Sequence, residues 1–119
     1  MQILIITWSP NSNWEALTND ARQEYLQSLD EYINGGRAAG MVVLGWSNID
    51  QTLPKASDHG FVGVFGVENE QQVHELEKMV GEAQWYEYFD STNISIGLIG
   101  SNESEPHKVY AKLLGVDLK

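Results

Sequence analysis

The sequence has no cysteine among its 119 residues, only three prolines, and seven lysines and arginines against seventeen aspartates and glutamates. Without cysteine there is no disulfide framework, no cysteine nucleophile and no thiolate-ligated metal. The shortage of basic residues leaves a formal charge of −10. Arg22, Arg37, Lys55, Lys78, Lys108, Lys112 and Lys119 are scattered, so no basic face is offered to nucleic acid or anionic lipid, and neither is expected as a partner. The acidic surface serves solubility, or else steers a cationic ligand. No apolar run approaches the roughly 20 residues that cross a bilayer. The opening MQILIITW lacks a basic leader, and SPNSN follows in place of a small-residue cleavage site, so no secretory leader is expected and a cytoplasmic location is. Chain length predicts one domain with a core of its own.

The strand-favouring run Gln2–Trp8 ends at Ser9, Pro10 and Asn11, residues that turn the backbone. Thr18 can cap a helix, with Asp20 favoured in its first turn. Ala21, Tyr25, Leu29, Tyr32 and Gly36, with Leu26 and Ile33 beside them, keep helical spacing. That helix is expected to stop between Asn34 and Ala39, with Gly40 as a left-handed terminator. Met41–Trp46 and Phe61–Val67 read as the second and third strands, separated by a loop too long for a tight hairpin. Residues 69–84 return to helical period through Val73, Leu76, Val80 and Ala83. The cluster WYEYF ends or follows that helix, and Asn93–Gly100 reads as the last strand. Ser104, Glu105 and Pro106 open a short terminal helix that Gly115 ends. The order β-α-β-β-α-β plus a helix is the ferredoxin-like α+β pattern, an antiparallel four-stranded sheet with two helices on one face. Residues 1–100 form that domain in this reading, and 101–119 a C-terminal helical extension.

A sheet covered on one face alternates apolar and polar residues. Here Leu4, Ile6 and Trp8 oppose Ile3 and Ile5, Val42, Leu44 and Trp46 oppose Met41 and Val43, and Phe61 and Phe65 oppose Val62 and Val64. Both faces are apolar, so something must cover the second one. A second copy of the chain, forming a homodimer with its sheet against the first, is the economical cover. The terminal helix folding across that face is the alternative.

ITW near the start, NWEALTNDARQEYL entering the first helix, AAGMVVLGWSNID in the second strand and AQWYEYFDSTNISIG before the last together resemble a small uncharacterised bacterial family of the dimeric α/β-barrel superfamily. The resemblance covers most of residues 1–100 and implies the ferredoxin-like fold and the dimer. It implies no catalytic residue. Members of the wider superfamily include cofactor-free monooxygenases, lactone isomerases, haem-degrading enzymes and plain binding proteins, and fold alone does not choose among them.

Trp8, Trp46 and Trp85 fall at the ends of predicted elements, where pockets open, and Tyr86, Tyr88 and Phe89 adjoin Trp85. Such flat surfaces suit a small planar or aromatic ligand, or else a partner interface. His59, following Asp58 and sharing parity with Phe61 and Phe65, is the candidate catalytic acid-base; its plainer reading is a loop histidine at a turn. Asn93 and Ser95, on the side of small Gly97, can fix a ligand carbonyl or satisfy backbone groups. No HxH, HExxH, Gly-rich phosphate loop or GxSxG elbow occurs, so neither metal nor cofactor is expected. The leading functional expectation is a small-molecule-binding protein or cofactor-free oxygenase or isomerase, with Trp8, Trp46, Trp85, Tyr86, Tyr88 and Asn93 around the ligand. A non-catalytic dimerisation or regulatory module is the second, and a haem- or metal-dependent enzyme the third.

Overall fold

The computed structural model describes residues 1–119. Its elements run β1 (Gln2–Pro10), α1 (Ser12–Glu15), α2 (Asn19–Ala38), β2 (Val42–Asn48), β3 (Phe61–Val67), α3 (Glu70–Glu82), α4 (Trp85–Tyr88), β4 (Phe89–Ile96) and α5 (His107–Leu114). The strands form one antiparallel sheet in the order β2-β3-β1-β4, the ferredoxin-like arrangement that the element order implies.

Local chemistry sets most of the boundaries. Thr18 Oγ1 accepts from the Ala21 amide at 3.1 Å and starts α2, and Asn69 Oδ1 accepts from the Gln72 amide at 2.9 Å and starts α3. Each satisfies an amide that the first helical turn leaves without an intrahelical partner. Beyond α2, Gly40 takes φ +101°, a conformation that costs glycine little.

The last strand is displaced from its expected position. It begins at Phe89 and ends at Ile96, four residues before each bound of Asn93–Gly100. Phe89 enters the sheet opposite Pro10 and is buried, whereas Leu98 beyond the strand is 78% exposed. The aromatic cluster thus divides, with Trp85–Tyr88 making a single helical turn and Phe89 becoming a strand residue.

Strand pairing sorts the side chains by face. Leu4 and Ile6 of β1 join Phe65 and Val67 of β3, Met41, and Val73 and Leu76 of α3 in one buried cluster, with Trp8, Val43, Ile33 and Val80 packed against it. The opposite face carries Ile3, Ile5, Val62, Val64, Val42 and Ile94, by alternation along the paired strands. Val42 and Ile94 are exposed there. A register shift between Val43 and Gly45 corrects the expected orientation of Trp46. The extra residue of this bulge puts Trp46 opposite Gly63, on the helix face with Val43 instead of opposing it. Gly45 adopts φ +141° at the bulge.

The terminal helix does not join the main packing of the domain, which is carried by strand pairs and by α1, α3 and α4. The chain extends over 61 × 36 × 19 Å.

Candidate functional site

On the helix face, α2 stands off from the sheet. Gly36 is the single buried residue among its twenty, and the space beneath it is a cavity of about 520 Å³. Its floor is Ile6, Trp8, Trp46 and Phe65 of the sheet. Leu76, Met79, Val80, Ala83 and Trp85 from α3 and the start of α4 make one wall. Leu26, Leu29, Tyr32 and Ile33 of α2 make the roof, and Asp30, Asn34 and Arg37 on the same helix contribute its polar groups.

The sequence pattern explains this shape. The apolar stripe of α2 faces the sheet, but the sheet beneath has no side chain at Gly63. A methyl group there would come within 3.0–3.1 Å of the Trp46 ring and the Phe65 ring. The indole of Trp46 therefore lies close over the Gly63 backbone, with its ring 5.9 Å from that of Phe65, edge to face. Trp8 stacks on Phe61 at 5.8 Å and meets the edge of Trp85 at 5.2 Å. Trp85 stacks on Phe89 at 4.1 Å and donates its Nε1–H to Ser91 Oγ at 2.9 Å. Each of these contacts fixes a ring plane, so the aromatic floor is held in place before any ligand arrives.

The expected aromatic site is thus assembled in part. Trp8, Trp46 and Trp85 line one cavity, while Tyr86, Tyr88 and Asn93 lie outside its lining. Tyr88 packs with Tyr25 at 4.7 Å and Trp14 at 6.2 Å in a second aromatic cluster that also includes Phe89. Tyr25 donates its hydroxyl to the Ala83 carbonyl at 2.8 Å, tying α2 to the end of α3. Burial, and next the neighbouring Tyr88 and Tyr32, push the Tyr25 hydroxyl up to about 12. Tyr86 turns to Glu77, donating to Oε1 at 3.0 Å, and accepts from Asn93 Nδ2 at 2.8 Å. Burial raises its pKa; the Asn93 bond lowers it and the Glu77 carboxylate raises it again.

His59 is placed differently from its expected parity with Phe61. Its Nδ1 lies 3.0 Å from Ser9 Oγ and its Nε2 3.1 Å from Thr92 Oγ1. Ser9 and Thr92 belong to the face opposite Trp8, by the pairing of β1 with β4. Alternation fails here because residues 58–60 form a bend and not extended strand. Both ring nitrogens are engaged by hydroxyls, and the histidine is separated from the aromatic cavity by the sheet.

Leu29, Asp30, Ile33, Asn34, Arg37 and Met79 were not singled out as site residues by the sequence. The helical stripe shows that Leu29 and Ile33 face inward, but no pattern reveals that a gap remains beneath them. No group of three histidine, aspartate or glutamate side chains gathers in a geometry able to hold a metal ion. No helix is long and apolar enough to cross a membrane.

A family model described as a family of unknown function (DUF6616) matches residues 1–114. No curated protein matches the chain. Among solved structures it is similar to a chlorite dismutase-like protein, at 13% identity and a TM-score of 0.58 over 83% of this chain. The chain spans 44% of that protein's length. It is also similar to a dabb family protein with a ferredoxin-like fold from Mesorhizobium loti, at 11% identity and a TM-score of 0.52, covering 83% of this chain and 97% of that one. HapK from Hahella chejuensis aligns at 14% identity and a TM-score of 0.48, over 88% of this chain and 99% of that one. Identities this low establish likeness of fold alone, here a ferredoxin-like one.

Proposed function

We propose that this chain, which belongs to the family of unknown function DUF6616, binds a small molecule with a planar apolar body between α2 and the sheet. The observation that carries this reading is the cavity of about 520 Å³, in which 13 of 16 lining residues are hydrophobic and three are tryptophan. Small-molecule sites run to about 300–1,000 Å³, are lined mostly by apolar side chains, and carry a few polar groups that set orientation. Here those groups are Asp30, Asn34 and Arg37. Arg37 makes one long contact, from Nη1 to Asn34 Oδ1 at 3.5 Å, so most of its five N–H donors are free for a carboxylate, sulfonate or carbonyl on the ligand.

The same lining favours binding over acid-base catalysis. Asp30, Tyr32 and Arg37 are its titratable residues, and His59 stands outside it. A cofactor-free reaction in this site draws on Asp30 or Tyr32, or on the reactivity of the ligand itself. Pairing of two copies through the open sheet face belongs to the same reading. It is supported by Val42, Leu44 and Ile94, whose exposures of 44%, 56% and 41% leave an apolar surface uncovered. A purely structural dimer module is the second reading, and that same surface favours it.

The test uses 1-anilinonaphthalene-8-sulfonate, a planar probe with one anionic group, titrated by fluorescence against the protein and against Leu29→Trp, which fills the cavity from its roof. Saturable binding that weakens at least tenfold in Leu29→Trp is expected. Arg37→Gln should weaken it about three- to tenfold, the value of one or two hydrogen bonds. Equal binding by wild type and Leu29→Trp would place the probe elsewhere and refute the pocket.

A further inference from the structure

Trp8, Trp46 and Trp85 supply much of the cavity lining, and each indole brings one N–H that donates and never accepts. Of the three, Trp85 alone donates within the protein, to Ser91 Oγ at 2.9 Å. Trp8 and Trp46 are held by ring contacts, the first between Phe61 and Trp85, the second against Phe65. Buried indoles usually find an acceptor. No buried side-chain nitrogen or oxygen of this protein lacks a partner, so the N–H of half-buried Trp8 opens on free space, and Trp8 borders the cavity. The Nε1 edge of Trp46 lies 3.1 Å from where a methyl group on Gly63 would stand. Gly63 pairs with Ile6 of the floor, so that edge is turned toward the middle of the sheet.

Acceptors are scarce in the same interior. Backbone carbonyls of the floor belong to paired strands, and the Ala83 carbonyl on the α3 wall already accepts from Tyr25 at 2.8 Å. Met79 brings a thioether, a weak acceptor. Asp30 and Asn34 carry acceptor oxygens, but both residues are exposed on α2, at the opening of the cavity and not over its floor. The Tyr32 hydroxyl donates or accepts as a ligand requires. It leaves the choice of ligand class to the two indoles.

We infer that this cavity takes an aryl ketone or a related oxo compound: a flat ring system whose body carries a carbonyl oxygen that accepts from the indole N–H of Trp8 or Trp46. The inference rests on the cavity being the binding site proposed above, and it adds a second point of recognition to the end group that meets Arg37. An accessible N–H is served by water, and a ligand that displaces this water must return the hydrogen bond or lose affinity. A hydrocarbon body leaves the donors dry and unpaired, a larger penalty than the bond itself is worth. A body bearing an amine adds donors where donors already stand. Sites that hydrogen-bond a ligand group reject the analogue lacking it more sharply than pockets that sense size alone.

The test compares 9-fluorenone-2-carboxylate with fluorene-2-carboxylate by isothermal titration calorimetry on wild type, Trp8→Phe, Trp46→Phe and Leu29→Trp. The probes share their fused rings and carboxylate and differ in one group, a carbonyl against a methylene. Burial alone ranks the fluorene first, because the ketone has water to shed. The expected result is the reverse, with the fluorenone held roughly tenfold tighter by wild type, the value of one or two hydrogen bonds. Phenylalanine keeps an aromatic face and removes the donor, so Trp8→Phe or Trp46→Phe should lose that preference. Trp8 packs against the core cluster, and its substitution is the one that endangers folding. Nitrogen-15 spectra of wild type therefore give a second readout: the fluorenone should move the indole N–H signal of Trp8 or Trp46 downfield, and the fluorene should not. A ketone held no tighter than the hydrocarbon would overturn the ligand class, as would a preference that survives both variants with the indole signals unmoved. In either case, probe binding that weakens in Leu29→Trp leaves the cavity standing. Binding of both probes untouched by Leu29→Trp would remove the cavity and this inference together.

Discussion

Gly35 and Gly36 are adjacent in the same helix, and the structure assigns them opposite responses to the same substitution. An alanine is worth about 1 kcal/mol more than glycine in a helix interior, at either position. At Gly35 the added methyl meets nothing within 4 Å, so Gly35→Ala should collect the whole gain. At Gly36 it would lie 2.8 Å from Met41 Cε and 3.2 Å from Met41 Sδ. Met41 is buried in the core cluster, and its amide donates to the Gly36 carbonyl at 2.9 Å, so the thioether must move by several tenths of an ångström inside packed surroundings. Overpacking of this kind costs about 1–3 kcal/mol, with the flexibility of methionine favouring the low end. Gly36→Ala is therefore expected to be neutral or destabilised by up to about 2 kcal/mol, placing the two variants about 1–3 kcal/mol apart.

Thermal unfolding resolves that difference. At about 2.1 cal/mol/K per residue, unfolding of a chain this long releases roughly 250 cal/mol/K, so 1 kcal/mol moves the midpoint by about 4 °C. Gly35→Ala should melt about 4 °C above wild type and Gly36→Ala level with it or several degrees below. Equal upward shifts would mean that Met41 is not seated against Gly36. The contact anchoring the C-terminal end of α2 over the cavity would then be misassigned.

Other expectations follow from single contacts. Leu4, 1% exposed at the centre of the core, should cost about 2–5 kcal/mol as Leu4→Ala in urea unfolding, the usual range for a buried leucine. Thr18→Ala removes the acceptor of the Ala21 amide and should cost about 1 kcal/mol. Its effect should fall on α2, as faster amide hydrogen exchange there than in β1 or β3. Tyr25 is neutral in the folded protein up to about pH 12, against 10.0 for the free group. Its raised pKa contributes stability that is present below pH 10 and lost as pH rises from 10 to 12. Tyr25→Phe should accordingly be less stable than wild type at neutral pH, having lost the bond to Ala83, and the gap should close through that alkaline window. A gap unchanged at pH 12 would contradict the assignment, as would a Tyr25 absorbance transition near pH 10.

The fold was legible because its signals are local and redundant. Phe61–Val67 carries strand-formers throughout, and Thr18 and Asn69 announce helices that hydrophobic spacing then continues. β4 was displaced because WYEYF suits helix and strand alike, and the choice at Phe89 is made by its pairing with Pro10. The site was legible only in its aromatic floor. Trp8, Trp46 and Trp85 converge as expected, although Trp46 reaches the helix face through a bulge at Gly45 that alternation alone does not show. Strand parity puts His59 with Phe61, and adjacency puts Tyr88 with Trp85; parity does not survive a bend at residues 58–60, nor adjacency a helical turn at Trp85–Tyr88. Arg37 had no signal of its own, since a cation near a helix C-terminus is favoured by the helix dipole whatever lies beside it.

The central claim is that the space between α2 and the sheet is a binding site. Its most direct test is a crystal structure of protein purified from its host without denaturation or added ligand, with electron density inspected between the Trp46 ring and Leu29. A compact, non-water feature against the tryptophan floor, with its polar end toward Arg37, is the predicted result. An α2 packed down onto the sheet, with Leu29 touching Phe65 and no cavity left, would contradict it.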